Sequence, residues 1–172
     1  MTKSKIFVVG LTHTGKNSLD AALTGLGYTC KHYPHPNYVM QEAERYDVLS
    51  DTPVIPYMER LDLYYPDARF ILTVREIESW LVSCEAHWKR RWKLKKIKRI
   101  NRKRIYGIVT YDAEQFRQVY IKHERKVRDY FEGRAGKLLV LDICGGEGYE
   151  KLCPFLRLDV IDKPFPHVNR SI

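Results

Sequence analysis

The stretch Lys5 to Leu19, KIFVVGLTHTGKNSL, constrains this chain more than any other. An apolar run, Ile6 to Val9, stops at Gly10. A polar loop follows from Leu11 to Asn17. Ser18, Leu19, Ala21, Ala22, Leu23 and Leu26 then open a helical pattern. Strand, loop and helix in that order aim unpaired first-turn amides and the positive end of a helix at one cavity. Such a cavity attracts phosphate or sulfate. Gly10 and Gly15 allow the sharp turn and the close approach of backbone to an anion.

Further apolar runs alternate with helical patterns along the chain. Strands are expected at Tyr28–Tyr33, Asp47–Asp51, Arg69–Arg75 and Lys137–Ile143. The run RFILTV is nearly continuous and β-branched, as a strand buried on both faces should be. Helices are expected at Tyr38–Tyr46, around Tyr57, Leu61 and Tyr64, after Ile77, at Tyr111–Phe131 and at Tyr149–Leu156, with an extended tail from Lys163 to Arg170. Pro53 suits the first turn of the helix that carries Tyr57. This alternation predicts an α/β fold: one domain over residues 1–172, a doubly wound, mostly parallel sheet flanked by helices.

Thirty Lys and Arg against twenty-one Asp and Glu give a formal charge of +9, so anionic ligands are the expected partners. The four cysteines, Cys30, Cys84, Cys144 and Cys153, form no CxxC pair or zinc spacing and read as thiols of a reducing compartment. No metal site is expected. The first residues lead directly into a strand, and no run has transmembrane length, so a soluble cytoplasmic protein is expected.

Three local features carry chemistry. Asp51 ends an apolar run where α/β sheets bind ligands, which makes it a candidate general base. A helix cap at Asp51 or Thr52 is the simpler local reading. Arg75 ends the clearest strand, and a guanidinium there can grip phosphate through two hydrogen bonds. The segment from His87 to Arg104 holds eleven Lys or Arg and no acid, with Trp88, Trp92, Leu94, Ile97 and Ile100 interleaved. It reads as a basic amphipathic helix, and residues 89–104 are expected to be either a mobile, solvated face or a lid that attracts anions. The aromatic interleaving also leaves room for a nucleic-acid or membrane-surface patch, although nucleic acid is not the expected partner. His32 and His35 lack clustered ligand partners and read as surface or cleft residues.

The loop fits two templates. Gly10-x-x-x-x-Gly15-Lys16 matches a phosphate-binding Walker loop, but Asn17 stands where Ser or Thr should hold magnesium. Thr12, Thr14, Gly15, Ser18 and Leu19 also match the 5′-phosphosulfate loop of the sulfotransferase superfamily, with His13 at the family's Lys position. The middle segment YPDARFILTVREIESWLVS resembles that superfamily strongly, and so does LLVLDICGGEGYEKLCPFLRLD with PFPHVN near the C-terminus.

This resemblance implies sulfuryl transfer from 3′-phosphoadenosine 5′-phosphosulfate (PAPS), with 3′-phosphoadenosine 5′-phosphate (PAP) as product. It implies that Thr12, Thr14, Gly15, Lys16, Asn17 and Ser18 cradle the 5′-phosphosulfate. Arg75 and Ser83, eight residues on, would hold the 3′-phosphate. Asp51 occupies the place of the family's catalytic His and would take a proton from a hydroxyl or amine acceptor, which the net charge allows to be acidic. Lys16 and His13 would supply catalytic charge in an in-line displacement. A magnesium-dependent P-loop kinase, using Asp51 or Asp142, is one alternative. A non-catalytic anion- or nucleic-acid-binding protein of the same fold is another.

Overall fold

The computed structural model describes residues 4–90 and 95–168. Among these residues there are five strands and seven α-helices. The strands are β1 (Ile6–Val8), β2 (Cys30–His32), β3 (Val48–Ser50), β4 (Arg69–Thr73) and β5 (Leu138–Leu141). The helices are α1 (Lys16–Gly25), α2 (Val39–Arg45), α3 (Met58–Tyr64), α4 (Ile77–Arg90), α5 (Lys96–Tyr106), α6 (Ala113–Tyr130) and α7 (Tyr149–Leu156). The sheet order is β2-β3-β1-β4-β5, and every pairing is parallel. The expected doubly wound α/β domain is therefore what forms, with a sheet that is wholly parallel.

Parallel strands need helical crossovers, which cover both faces, so the central strands carry apolar side chains on both sides. Ile6, Phe7 and Val8 are fully buried. Ile6 and Val8 pack with Leu19, Ala22 and Leu23 of α1 and with Leu152, Cys153 and Leu156 of α7. Phe7 points to the other face, against Val39 and Ala43 of α2, Leu61 of α3, Val127 of α6 and Phe131 at the C-terminal end of α6. A third cluster lies beyond the strand ends. It joins Leu11 of the first loop to Trp80, Trp88, Tyr106, Phe116 and Tyr120, with the rings of Tyr106 and Phe116 stacked at 4.6 Å.

Two expectations change. Pro53 does not open a helix; residues 52–54 turn, a 3-10 segment (Ile55–Tyr57) follows, and α3 begins at Met58. The basic run is not one helix. α4 reaches Arg90, Lys95 has an extended ψ of 144°, and α5 starts afresh and stops at Gly107, whose φ of 75° ends the helix. Residues 91–94, with Trp92 and Leu94, lie outside the described residues, as do Asn169 and Arg170 of the expected tail. The restart lays α5 across the strand ends, where Tyr106 packs against the first loop.

Candidate functional site

The site lies at the C-terminal ends of β1 to β4, where a parallel sheet presents its crevice. Among the described residues, three of the four non-glycine residues with positive φ cluster there: His13 (62°), Tyr33 (51°) and Asp51 (88°). Strained backbone of this kind persists where surrounding contacts hold it, and it gathers at functional sites.

The loop after β1 is fastened from several sides. Trp80 Nε1 of α4 donates to Thr12 O at 2.6 Å, and Thr12 N donates to the Tyr106 hydroxyl of α5 at 3.3 Å. Thr14 Oγ1 donates to Leu11 O at 2.7 Å and lies 2.6 Å from Thr73 Oγ1 of β4. Thr14 has one hydroxyl proton, so the second bond must be donated by Thr73. His123 Nε2 of α6 lies 2.7 Å from Val9 O, which can only accept, so this nitrogen carries the proton. Gly15 has a φ of 86° and sits against Ile143, leaving α1 without a side-chain cap and without an acid in its first turn. The first helical bond runs from Leu19 N to Gly15 O, so the amides of Lys16, Asn17 and Ser18 precede the ladder. That arrangement fits an anionic group.

Lys16 is buried and fully engaged. Its Nζ donates to Gly10 O (2.9 Å) and Leu11 O (2.6 Å) and pairs with Asp51 Oδ1 at 2.7 Å. Asp51 Oδ1 also accepts from Thr52 N at 2.7 Å, and its Oδ2 lies 3.2 Å from His32 Nε2. His32 Nδ1 in turn meets Asp20 Oδ2 at 2.8 Å, and Ser50 Oγ donates to the same Asp20 oxygen at 2.6 Å. Burial would raise the Asp51 pKa, but Lys16 and then His32 hold it well below the usual carboxylate range. Burial would lower the His32 pKa, but hydrogen bonds to Asp20 and Asp51 override it and push it up to about 9.

On the opposite side, Arg75 Nε donates to Ser79 Oγ at 3.0 Å and Nη1 to His13 O at 3.4 Å. The Tyr120 hydroxyl brackets the Arg75 backbone, accepting from its N (3.0 Å) and donating to its O (2.6 Å). No carboxylate pairs with Arg75 among the described residues, although its neighbours Arg117 and Arg128 bind Glu78 and Glu124. Ser83 Oγ sits 3.2 Å from His13 Nδ1. His13, in contact with the His87 ring at 4.6 Å, is pushed down to about 3, first by burial and then by His87, Lys16 and Arg75. At neutral pH it is uncharged and cannot reproduce a lysine's charge.

The structure thus gathers Thr12, His13, Thr14, Gly15, Lys16, Asp51, Arg75 and Ser83 around one loop. Asn17 is half-buried beside it, and Ser18 Oγ accepts from Val168 N of the tail at 3.0 Å. A groove of about 690 Å³ opens beside Arg75, Tyr120 and Asp142. A smaller recess of about 430 Å³, between Gly146–Glu150 and Val160–His167, shares no residue with this set. Nothing local in the chain pointed to Asp20 or to the His32–Asp51 contact, because both depend on β2 pairing with β3 beside α1. Asn101, whose Nδ2 donates to Thr52 Oγ1 at 2.9 Å, was hidden in the charge run.

A family model described as a sulfotransferase domain matches residues 36–171. The chain belongs to the sulfotransferase domain family. The matched span contains Asp51, Arg75 and Ser83 but begins after the glycine loop, so the loop's membership of the site rests on the contacts above. The sulfotransferase-family chain is also similar to "Ava biosynthesis cluster protein M" of Aspergillus versicolor, 26% identical over a 216-residue alignment that covers 97% of this chain and 81% of the relative. Its fold is similar to the crystal structure of a sulfotransferase from Alicyclobacillus acidocaldarius, with a TM-score of 0.62, 16% identity, and coverage of 99% of this chain and 87% of that one. No helix among the described residues is long and apolar enough to cross a membrane.

Proposed function

We propose that this chain is a PAPS-dependent sulfotransferase that moves a sulfuryl group to a hydroxyl or amine acceptor. The reading rests chiefly on Arg75, a half-buried guanidinium with no carboxylate partner among the described residues, facing an uncapped helix N-terminus across His13. Guanidinium and amides together suit a ligand with anionic groups at both ends. Family membership supports the same ligand class.

PAPS would supply an activated sulfuryl group on a phosphate leaving group. The amides of Lys16, Asn17 and Ser18, with Thr12, Thr14 and Gly15, would bind the 5′ end. Arg75 and Ser83 would hold the 3′-phosphate. Lys16 would neutralise charge on the leaving side, and Asp51 would accept the acceptor's proton. His13, neutral, would act as a hydrogen-bonding spacer between the loop and Ser83. The cations of α5, beside Thr12 and Thr52, would draw in anionic reactants and favour an acidic acceptor. A cytoplasmic setting suits four unpaired thiols.

Calorimetric titration with PAP, set against ATP with magnesium, tests the donor. Micromolar binding of PAP and no comparable binding of ATP with magnesium is the expected result. The reverse preference would replace this reading with a P-loop kinase.

A further inference from the structure

An ammonium group has three N–H donors. All three of Lys16 are occupied: two by the carbonyls of Gly10 and Leu11, and the third by Asp51. The two carbonyls belong to the loop itself and keep the amine over it. Asp51 is different, since it is also the base assigned above. While Lys16 holds it, its carboxylate is a poor proton acceptor, and while Asp51 holds Lys16, that amine has nothing left to offer an incoming anion.

On the far side of Asp51 a second partner is built in. His32 presents Nε2 to Asp51 Oδ2, and its Nδ1 is anchored by Asp20 Oδ2, itself fixed by Ser50 Oγ. The charged groups facing His32 are Asp20 of α1 and Asp51 after β3. Lys16 lies beyond Asp51, and Lys98 of α5 lies beyond the Tyr33 ring, 5.4 Å from its centroid. Two cations and two carboxylates alternate along Lys16, Asp51, His32 and Asp20.

We propose that donor binding arms the base. The third N–H of Lys16 passes from Asp51 to an oxygen of the donor, and His32 is the positioning residue that keeps the released carboxylate oriented toward the acceptor. Asp51 then takes the acceptor's O–H proton as the acceptor oxygen bonds to sulfur. The bond from sulfur to the 5′-phosphate oxygen breaks, and its electron pair leaves with the phosphate. This inference rests on the PAPS reading above. It orders the reaction, because an acceptor arriving first meets a carboxylate still engaged by Lys16.

The test needs no acceptor. PAP is titrated calorimetrically into the wild type, Asp51→Asn, Lys16→Ala and the double variant. Asn tolerates the positive φ of residue 51, so the backbone is kept. Asp51→Asn removes the competitor for Lys16 and should tighten PAP binding roughly tenfold. In the Lys16→Ala background the same change should have no such effect, which isolates the coupling between the two residues. For the positioning role, the side-chain nitrogens of His32 are followed by NMR as pH rises. PAP should move the His32 titration to higher pH, because Asp51 no longer shares its charge with Lys16, and Asp20→Asn should move it down. Unchanged or weaker PAP binding by Asp51→Asn, or a His32 titration indifferent to PAP, overturns the inference while leaving the donor assignment intact. A wild type that does not bind PAP removes the donor assignment as well.

Discussion

Replacing Gly10 by Ala should damage both stability and the anion loop, and the structure sets the size of the effect. A Cβ at position 10 would lie 1.9 Å from Thr73 Oγ1, 2.8 Å from Thr73 O and 3.0 Å from Thr14 Oγ1. Rotating the Thr73 hydroxyl away relieves the first clash but breaks its bond to Thr14, inside a region where both threonines are at most 1% exposed. A buried hydrogen bond of this kind contributes about 1 kcal/mol. The second clash is with backbone of β4 and needs a shift of the strand, an overpacking cost of about 1–3 kcal/mol. Together these give a loss of about 2–4 kcal/mol, or a melting midpoint lowered by roughly 5–15 °C for a domain of this size. Calorimetric melting and urea titration should show a lower midpoint with an unchanged urea slope. Thr73→Ala combined with Gly10→Ala should be less harmful than the sum of the two, because one clash disappears. Gly25→Ala, where nothing lies within 4 Å of the new atom, is the control and should be neutral or stabilising. A Gly10→Ala protein that melts within about 2 °C of the wild type would refute the packing described here.

Arg75→Ala should weaken PAP binding about 10–100-fold with little change in melting, since its partners are a hydroxyl and one long contact; Lys16→Ala should lower sulfuryl-transfer rate by about 10²-fold. Normal PAP binding and normal turnover in these two variants would reject the site. Asp62→Ala should cost about 2–3 kcal/mol in urea unfolding. Its carboxylate, 6% exposed, binds Arg134 (2.7 and 2.9 Å), Lys137 (2.8 Å) and the Tyr130 hydroxyl (3.0 Å), but the partly exposed arginine limits the loss. Burial lowers His13 to about 3 and His123 to about 4, below the unfolded value of 6.5. As pH falls below about 6.5 the unfolded chain takes up protons first, so stability present above that pH is lost toward pH 4. His123→Gln, which keeps a donor for Val9 O, should flatten that decline by up to about 3 kcal/mol in melting curves recorded from pH 7 to pH 4.

The strands were legible because a parallel sheet covered on both faces demands short apolar runs, and RFILT and LLVL satisfy that demand without help from distant residues. The loop was legible for a similar reason: its glycines and its position between a strand and a helix are local facts. That Arg75 faces the loop could be expected from the strand it ends. His32 could not be read in this way. It ends a three-residue strand of mixed polarity, and its partners Asp20 and Asp51 become neighbours only when β2 pairs with β3 and α1 packs over them. Pro53 does not start a helix: residues 52–54 turn, with Thr52 Oγ1 accepting from Asn101 Nδ2, and the 3-10 segment follows. Charge periodicity alone does not reveal that the basic run divides between α4 and α5, with Tyr106 brought onto Thr12.

The central place of β1 has a consequence for biosynthesis. Ile6 to Val8 leave the ribosome before both of their partners, Val48–Ser50 on one side and Arg69–Ile71 on the other. At about 5–20 residues per second, the 71 − 6 = 65 residues from Ile6 to Ile71 take about 3–13 s to translate. Through that interval an apolar strand stands on the nascent chain without its neighbours, and the glycine loop after it has no wall to close against until translation has passed β4 and α4.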